Sequence, residues 1–216
     1  MPQESFDLSV KIPVREDDYI ISNSNINAFS LISKWPQWDS KILLLYGPES
    51  CGKTHLAKIW CKNANAVSLS AEDIYANNFD LSKNHLLDDL EKVCDEPALL
   101  HFYNMVKEAD SGYLMMTAGN SPSNMKIRLA DLKSRLGAVA SIGISDPDDE
   151  ILRQILVKQF ASRQLKVDMD VIKYIVSRME RSFRAAEKLV DIIDEEALKQ
   201  KKNITIPFVK TLLENQ

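Results

Sequence analysis

Cysteine is scarce in this sequence. The three that occur, Cys51, Cys61 and Cys94, are an odd number and lack the spacing of metal ligands, which fits the reducing cytosol. No apolar run is long enough to cross a membrane, and the N-terminal residues do not have the pattern of a signal peptide. We therefore expect a cytoplasmic protein with no membrane partner.

An excess of positive charge is also missing. Lysine and arginine number 27 against 31 aspartates and glutamates, which gives a formal net charge of −4. Broad electrostatic attraction to DNA is therefore not expected, and neither is strong direct DNA binding. The 216 residues are enough for one substantial core and a small second domain.

The most informative stretch of the chain is residues 41–61. An apolar run at Ile42–Tyr46 predicts a buried parallel strand that leads directly into the pattern G-x-x-x-x-G-K-[ST]. The two glycines let the backbone curl so that its N–H groups face a phosphate, and the helix that follows points its positive end at the same place. Lys53 is expected to reach the β- and γ-phosphates, and Thr54 to offer its hydroxyl to Mg²⁺. The predicted cofactor-binding residues of this stretch are Gly47, Pro48, Glu49, Ser50, Cys51, Gly52, Lys53, Thr54 and His55.

A chance glycine-rich turn is the alternative explanation of this pattern. Average residue usage produces it by accident in roughly one chain in a hundred of this length. The strand–loop–helix context makes an accident rarer still, so we predict a nucleotide site here.

An apolar segment precedes the phosphate loop. Tyr19, Ile20 and Ile21 lie just before a helix whose predicted N-cap is Ser24 or Asn25. An apolar hook in this place can cover an adenine ring. A short strand packed on the core is the alternative, and the residues alone do not decide between the two.

Two carboxylates follow the next short apolar strand. Asp88 and Asp89 come directly after His85–Leu87. In a phosphate-loop fold the carboxylate at a strand end holds Mg²⁺, often through water. We therefore assign Asp88 to Mg²⁺ and expect Asp89 to orient a water for attack. The alternative is a strand that runs into a solvated turn.

Further polar residues lie at the ends of predicted elements. Thr117 and Asn120 follow a buried strand at 113–117, where a polar side chain can face the γ-phosphate or the attacking water. Ordinary turn chemistry is the alternative. Arg135 lies near the C-terminus of an amphipathic helix predicted over 127–136. It either interacts with the helix dipole or is offered to a nucleotide across a subunit boundary.

The last part of the chain is predicted to be helical. Segments at about 150–163, 168–179, 182–199 and 206–213 each carry an apolar stripe at helical period. Arg184 falls on the first turn of the third segment, which is an unfavourable place for a cation beside the helix dipole. It either binds a phosphate or is a solvated surface arginine.

The N-terminal residues carry no helical period, but Gln3 stands ahead of two apolar residues, Phe6 and Leu8. A short extended arm of this kind can dock its apolar side chains in a pocket of a partner. An ordinary disordered terminus is the alternative.

The order of these features resembles the AAA+ ATPases, and among them the bacterial replication initiator DnaA. DDYIISNSN is similar to the segment before the initiator's first helix, LKSRL to its arginine-finger box and SFRAAEKL to its second sensor. The resemblance implies that Arg135 is an arginine finger, that Arg184 is the sensor arginine and that Thr117 takes the first-sensor position. It also implies an α/β AAA+ phosphate-loop fold, in which a parallel sheet flanked by helices is followed by a small all-helical lid.

The initiator's DNA-binding domain is not expected after this lid, and the shortened architecture is similar to that of the Hda family, also written HdaA, of DnaA-homologous regulators. KWPQW, LVKQFASRQLKV, RMERSF and ITIPFVK carry this resemblance. QESFDL is similar to that family's clamp-binding hexamer, although Glu4 stands where the second residue is usually apolar. The resemblance therefore implies contacts of Gln3, Phe6, Asp7 and Leu8 with the sliding clamp.

The resemblance implies a negative regulator of chromosomal replication initiation in bacteria, associated with the nucleoid and the replisome. It would bind ADP or ATP with Mg²⁺ and attach to the DNA-loaded sliding clamp, the β subunit of DNA polymerase III. Arg135 would then enter the ATP site of DnaA and stimulate hydrolysis there. A homo-oligomer is compatible with this scheme. The predicted domains are a flexible arm at 1–16, a nucleotide-binding α/β domain at 17–146 and a helical lid at 147–216.

One departure bears on activity. The carboxylate pair is Asp88-Asp89, as in the initiator, instead of aspartate followed by glutamate. A shorter second side chain positions a water less well. We therefore expect an activator of DnaA hydrolysis more than a vigorous ATPase.

Other functions stay open at this point. An independent AAA+ ATPase, acting as a loader or remodeller, shares every nucleotide-site residue. A DnaA-like paralogue that binds the origin is disfavoured by the acidic balance and by the missing helix-turn-helix. A small-molecule kinase with a phosphate loop would leave the helical tail and Arg135 unexplained.

Overall fold

The computed structural model of the protein describes residues 19–214. The predicted clamp-binding residues Gln3, Phe6, Asp7 and Leu8 lie outside the described residues. The described chain forms a parallel β-sheet with helices on both faces and, after it, a cluster of helices. The predicted fold class, an α/β phosphate-loop domain followed by a helical lid, is confirmed.

The strands and helices have the following bounds. The strands are β1 (Ile42–Tyr46), β2 (Val67–Leu69), β3 (His85–Leu87), β4 (Leu114–Ala118) and β5 (Ala140–Gly143). The helices are α1 (Ile26–Ile32), α2 (Lys53–Asn63), α3 (Ala71–Tyr75), α4 (Glu96–Glu108), α5 (Ala130–Gly137), α6 (Asp149–Ser162), α7 (Met169–Val176), α8 (Phe183–Gln200) and α9 (Ile206–Glu214). Short 3₁₀ turns occupy Leu90–Lys92 and Pro122–Asn124.

The sheet has the order β2-β3-β4-β1-β5, and its strand pairs are parallel. β1 lies inside the sheet, and its residues 42–45 are buried, as the continuous apolar run predicted. The register places Leu87 opposite Met116, so Asp88, the residue after β3, comes level with Thr117. Because parallel strands end at the same edge of a sheet, these two residues and the phosphate loop after β1 meet there.

Apolar side chains cover both faces of the sheet. On one face β1 and β4 pack against α4 and α5, and Phe102 is fully buried there. On the other face the sheet packs against α1 and α2, with Trp60 at its centre. Complete burial of a side chain such as that of Phe102 contributes roughly 1.5–3 kcal/mol. Because helices cover both faces of the sheet, its carboxyl edge stays open, and the candidate site lies there.

The lid has an apolar cluster of its own. Buried side chains of α6, α7, α8 and α9 form it, with Phe160 and Val190 among the most buried. Each of the predicted helical segments of the tail is present, and no end is shifted by more than three residues. The predicted domain boundaries stay a prediction. Within residues 19–214, no helix is both long enough and apolar enough to cross a membrane.

The predicted start of one helix was wrong. The amphipathic pattern predicted a helix from residue 127, but α5 begins at Ala130. The carboxylate of Glu96, at the start of α4, accepts the N–H of Arg128 at 3.0 Å and that of Leu129 at 2.6 Å. These bonds hold residues 128–129 in an extended form before the helix. The contact of Glu96 with residues 128–129 therefore sets the start of α5, which the local amphipathic pattern placed too early.

Candidate nucleotide-binding site

A cleft of about 1280 Å³ opens at the carboxyl edge of the sheet, between the phosphate loop and the lid. Ligands of open α/β sheets bind in this place, outside the carboxyl ends of the strands. The sheet side of the cleft consists of the loop, the ends of β3 and β4, and the segment before α1. The opposite wall is formed by α6 and α8.

The phosphate loop connects β1 to the first turn of α2. Gly52, directly before the helix, has a φ of 98°, which residues with a Cβ rarely adopt. A Cβ on Gly47 would lie 2.3 Å from the carbonyl oxygen of Ile144. The motif therefore needs one glycine for its backbone conformation and the other for a close approach to the residue after β5.

Lys53 is the first residue of α2, and its ammonium lies over the loop. Nζ donates to the carbonyl oxygens of Gly47 at 2.8 Å and Pro48 at 2.7 Å. An ammonium has three donors, and a phosphate at this helix N-terminus would compete with the two carbonyls for them. The predicted role of Lys53 thus agrees with its position.

The predicted loop residues divide into two groups. Cys51 is buried beneath the loop, and burial raises the pKa of its thiol, so this side chain supports the loop as a neutral group. Gly47, Pro48 and Cys51 do not belong to the cleft lining. The loop residues that line the cleft are Glu49, Ser50, Gly52, Lys53, Thr54 and His55.

A chain of hydrogen bonds joins α2, β3 and β4. The hydroxyls of Thr54 and Thr117 donate to Oδ1 of Asp88 at 3.1 and 2.7 Å, respectively. The Thr117 hydroxyl in turn accepts the backbone N–H of Asp89 at 2.7 Å. Thr117 is 1% exposed, so its hydroxyl orients Asp88 from within the sheet and fixes the turn after β3.

The Thr54 hydroxyl and the Asp88 carboxylate fit a magnesium site. Mg²⁺ prefers oxygen ligands and usually takes one or two from the protein, with waters and substrate phosphates supplying the rest. No group of three or more histidines, cysteines, aspartates or glutamates is arranged for a metal in the described part of the chain. A site at Thr54 and Asp88 would therefore hold the ion together with nucleotide phosphates.

We expect Thr117→Val to destabilise the protein by about 1–3 kcal/mol, because the shape of the side chain is kept while the part-buried N–H of Asp89 loses its hydroxyl acceptor. Chemical denaturation of wild type and variant measures this change. Thr211→Val is the control, since the Thr211 hydroxyl bonds to the Pro207 carbonyl on an exposed face of α9 and should cost less than about 0.5 kcal/mol. Equal free energies of unfolding for Thr117→Val and wild type would contradict the role of this hydroxyl.

The predicted hook before α1 partly lines the cleft. Tyr19 and Ile20 belong to its wall, whereas Ile21 is 44% exposed and lies outside it. The Tyr19 ring stacks on Phe29 at 5.8 Å and meets the edge of His55 at 5.3 Å. Burial raises the pKa of Tyr19, so its hydroxyl stays neutral.

A turn, and not a strand, gives the hook its shape. Asn25 accepts the N–H of Ser22 and donates to the carbonyl of Ile20, both at 3.0 Å. Tyr19–Ile21 make no strand pairing, so the alternative of a short packed strand is wrong. The predicted cap position Asn25 precedes α1, but its side chain serves the hook and not the helix.

The lid contacts the phosphate loop directly. The N–H of Phe183 donates to the carbonyl of Ser50 at 3.2 Å, and the Phe183 ring lies 3.0 Å from the position of a Cβ on Gly52. Arg184 makes an ion pair of 3.2 Å with Glu49. Both side chains of this pair are largely exposed, so its own contribution to stability is small. The pair places the predicted sensor arginine at the rim of the cleft.

Two further predicted residues lie outside the cleft lining. Arg135, on the last turn of α5, is not part of the cleft lining, and its Nε is 3.4 Å from Oδ1 of Asp131 one turn earlier. Its side chain is 38% exposed. Asn120 is exposed in the turn after β4 and also lies outside the lining, so turn chemistry accounts for it.

Sequence reasoning missed Lys92 and the wall that α6 supplies. The cleft residues from α6 and its C-cap are Ile151, Ile155, Lys158, Gln159, Ser162 and Arg163. Most of them repeat every four residues, and this spacing puts them on one face of a helix. This repeat can be seen in the sequence, but a repeat of this kind also predicts an ordinary apolar contact between helices of the lid. The three-dimensional position of α6 was needed to assign it.

Comparison with known families and proteins agrees with this geometry. Residues 148–213 match the family model of the lid domain of Hda. An uncharacterized protein of Haemophilus influenzae is 26% identical over 184 residues, which cover 78% of this chain and 80% of that protein.

Solved structures share the fold. Domain III of the Thermotoga maritima replication initiation protein DnaA has a TM-score of 0.73 at 15% identity, covering 94% of this chain and 98% of that one. A replication initiator DnaA bound to AMPPCP and single-stranded DNA has a TM-score of 0.70 at 17% identity, covering 86% and 67%. A DNA replication initiation factor has a TM-score of 0.71 at 19% identity, with 86% of this chain but only 66% of that protein covered. These likenesses show that the sheet and the lid have the fold seen in the solved DnaA structures.

Proposed function

Because the chain carries a lid of the Hda family after an α/β domain with the AAA+ fold of DnaA, we propose that it is a nucleotide-binding regulator of chromosomal replication initiation that acts on DnaA. The match of residues 148–213 to the Hda lid is the observation that carries this proposal. The cleft beneath that lid supports it, because phosphate loop, carboxylate and sensor arginine converge there.

The nucleotide is an adenine nucleotide with Mg²⁺, and we propose ADP as the resident form. Lys53 and the N–H groups of the loop would hold its phosphates, while Thr54 and Asp88 would hold the ion, which neutralises phosphate charge when it is bound. Tyr19 and Ile20 lie where an apolar surface can cover the base. Bound ADP would hold the lid and the α/β domain in the shape that engages DnaA.

Arg135 acts in trans in this scheme. Its ion pair with Asp131 joins two exposed side chains on one helix, and such pairs are weak. The guanidinium can therefore leave Asp131 at little cost and enter the ATP site of DnaA. There it would stabilise the charge that develops on the γ-phosphate, an effect worth about 10³–10⁵ in rate when an arginine is supplied in trans. DnaA would be left in its ADP form, which prevents repeated initiation.

The sliding clamp would hold the regulator on DNA. The predicted arm at 1–16 would dock Gln3, Phe6, Asp7 and Leu8 on the clamp as an extended peptide whose apolar side chains fill pockets. A clamp loaded on DNA then raises the effective concentration of the regulator near DnaA without any new contact between the two proteins. Regulation would thus require clamp that is loaded on DNA.

The test measures ATP hydrolysis by DnaA in the presence of DNA-loaded clamp, with the full chain added. We expect strong stimulation by the wild type and a loss of about 10²-fold with Phe6→Ala/Leu8→Ala, because the tether and its gain in effective concentration are removed. Nucleotide binding by the variant should be unchanged.

Val10→Ala is the matched control for the arm, since it shortens an apolar side chain just outside QESFDL. It should stimulate like the wild type. Full stimulation by Phe6→Ala/Leu8→Ala would refute clamp docking through this hexamer. No stimulation by the wild type, with nucleotide binding intact, would refute the action on DnaA.

A further inference from the structure

Lys92 lies on the wall of the cleft, one 3₁₀ turn after the carboxylate pair. Its Nζ is 3.1 Å from Oδ2 of Asp89, and its backbone N–H donates to the Asp89 carbonyl at 3.0 Å. The hydrogen bond and the charge of Asp89 raise the pKa of Lys92, and the charge of Asp88 adds to this effect. Lys92 is therefore a cation held beside the carboxylates at neutral pH.

The backbone of Asp89 is fixed in an unusual conformation. Its φ of 69° and ψ of 75° are left-handed, which residues other than glycine adopt only when their surroundings hold them there. The Thr117 hydroxyl accepts the Asp89 N–H on one side, and the Lys92 N–H binds the Asp89 carbonyl on the other. The carboxylate therefore moves only by rotation of its side chain, and the ion pair with Lys92 restrains that rotation.

We propose that Lys92 restrains Asp89 and thereby slows the hydrolysis of ATP in this chain's own cleft. The inference rests on the proposed nucleotide site and adds a positioning residue to it. In hydrolysis a water oxygen forms a bond to the γ-phosphorus, the bond from that phosphorus to the β–γ bridging oxygen breaks, ADP leaves, and the water proton passes to the Asp89 carboxylate. The ion pair with Lys92 occupies Oδ2 of Asp89, so this oxygen must leave the ammonium before it can accept a proton from a water bound at the γ-phosphate.

This restraint makes the cleft a slow site for ATP hydrolysis, as expected of a regulator that is not a vigorous ATPase. The short side chain of Asp89 already reaches a water less well than a glutamate would. The restraint by Lys92 is modest in size, because both side chains are substantially exposed, at 71% and 45%, and exposed ion pairs are weak. Releasing Asp89 should therefore raise the rate of hydrolysis by about two- to fivefold.

The experiment compares single-turnover hydrolysis of γ-labelled ATP by the wild type and by Lys92→Met, with protein in excess over nucleotide. Lys83→Met is the matched control, because Lys83 pairs with Asp80 at the same spacing of three residues, with similar exposure and outside the cleft lining. We expect a two- to fivefold faster rate for Lys92→Met and the wild-type rate for Lys83→Met. Both rates are compared with all nucleotide bound, the midpoint of unfolding should not change, and Lys92→Met/Asp89→Asn should lose the gain.

The outcomes separate this inference from the proposed function. All outcomes are read with nucleotide bound. If Lys92→Met hydrolyses ATP at the wild-type rate or more slowly, or if neither protein hydrolyses it detectably, the restraint is overturned. The nucleotide site stays in place in each of these cases. A gain that survives in Lys92→Met/Asp89→Asn would overturn it as well, since Asp89 would then not be the group released. Failure of the wild type to bind ADP or ATP would refute the nucleotide site itself, and the restraint with it.

Discussion

Arg135→Ala should remove nearly all stimulation of DnaA hydrolysis, a loss of about 10³-fold or more, and leave ADP binding by this chain unchanged. The size follows from the effect of an arginine supplied in trans to developing phosphate charge. The selectivity follows from position, because Arg135 lies on α5 outside the cleft that would hold this chain's own nucleotide. Phosphate release by DnaA with DNA-loaded clamp measures the loss, and calorimetry with ADP measures the binding.

Arg153→Ala is the matched control for this experiment. Arg153 also makes a helical ion pair, with Glu150 at 2.7 Å, and its side chain is 35% exposed against 38% for Arg135. Its removal should leave stimulation intact. Arg135→Lys adds a finer test, since lysine keeps the charge but lacks the planar fork that matches phosphate oxygens. Stimulation by Arg135→Ala at the wild-type level would exclude a finger at this position.

The nucleotide side of the cleft was predictable because its signals are local. The run at Ile42–Tyr46 gives a buried strand with the predicted bounds, and the glycine spacing fixes the loop after it. Asp88 and Thr117 followed from the rule that parallel strands end at one edge. The hydrogen bond between them, at 2.7 Å, was not predicted, because it depends on the pairing of β3 with β4 and on the register that sets Leu87 opposite Met116.

The rest of the site depends on contacts between distant parts of the chain. Glu96 sets the start of α5 from more than thirty residues away. The lid wall depends on how α6 and α8 lie over the loop, and Phe183 meets Gly52 only because of that packing. Lys92 is close in sequence to the carboxylates, but the left-handed backbone of Asp89 that directs the pair cannot be read from residue types. A sequence motif alone therefore does not predict these parts of the site.

Lys53→Met should lower the affinity for ADP with Mg²⁺ by about 100-fold. The ammonium would make charge-assisted hydrogen bonds to the phosphates, each worth roughly 1.5–3 kcal/mol, whereas methionine keeps the apolar length of the side chain and none of the donors. Lys62→Met is the control, because Lys62 lies in the last turn of the same helix. Calorimetric titration with ADP measures the difference, and an undiminished affinity would place the phosphates elsewhere.

Lys53→Met also changes the phosphate loop itself, and thermal unfolding with and without ADP distinguishes this effect from the loss of binding. Lys53 also bonds to the carbonyls of Gly47 and Pro48, so its loss loosens the loop even without nucleotide. ADP at 100 times its dissociation constant should stabilise the wild type by about 2.7 kcal/mol, and the same concentration should stabilise Lys53→Met by only about 0.4 kcal/mol. If bound ADP holds the lid in the shape that engages DnaA, Lys53→Met also loses stimulation, whereas Arg135→Ala loses stimulation alone. The pair of variants therefore separates the resident nucleotide from the finger that acts on the partner.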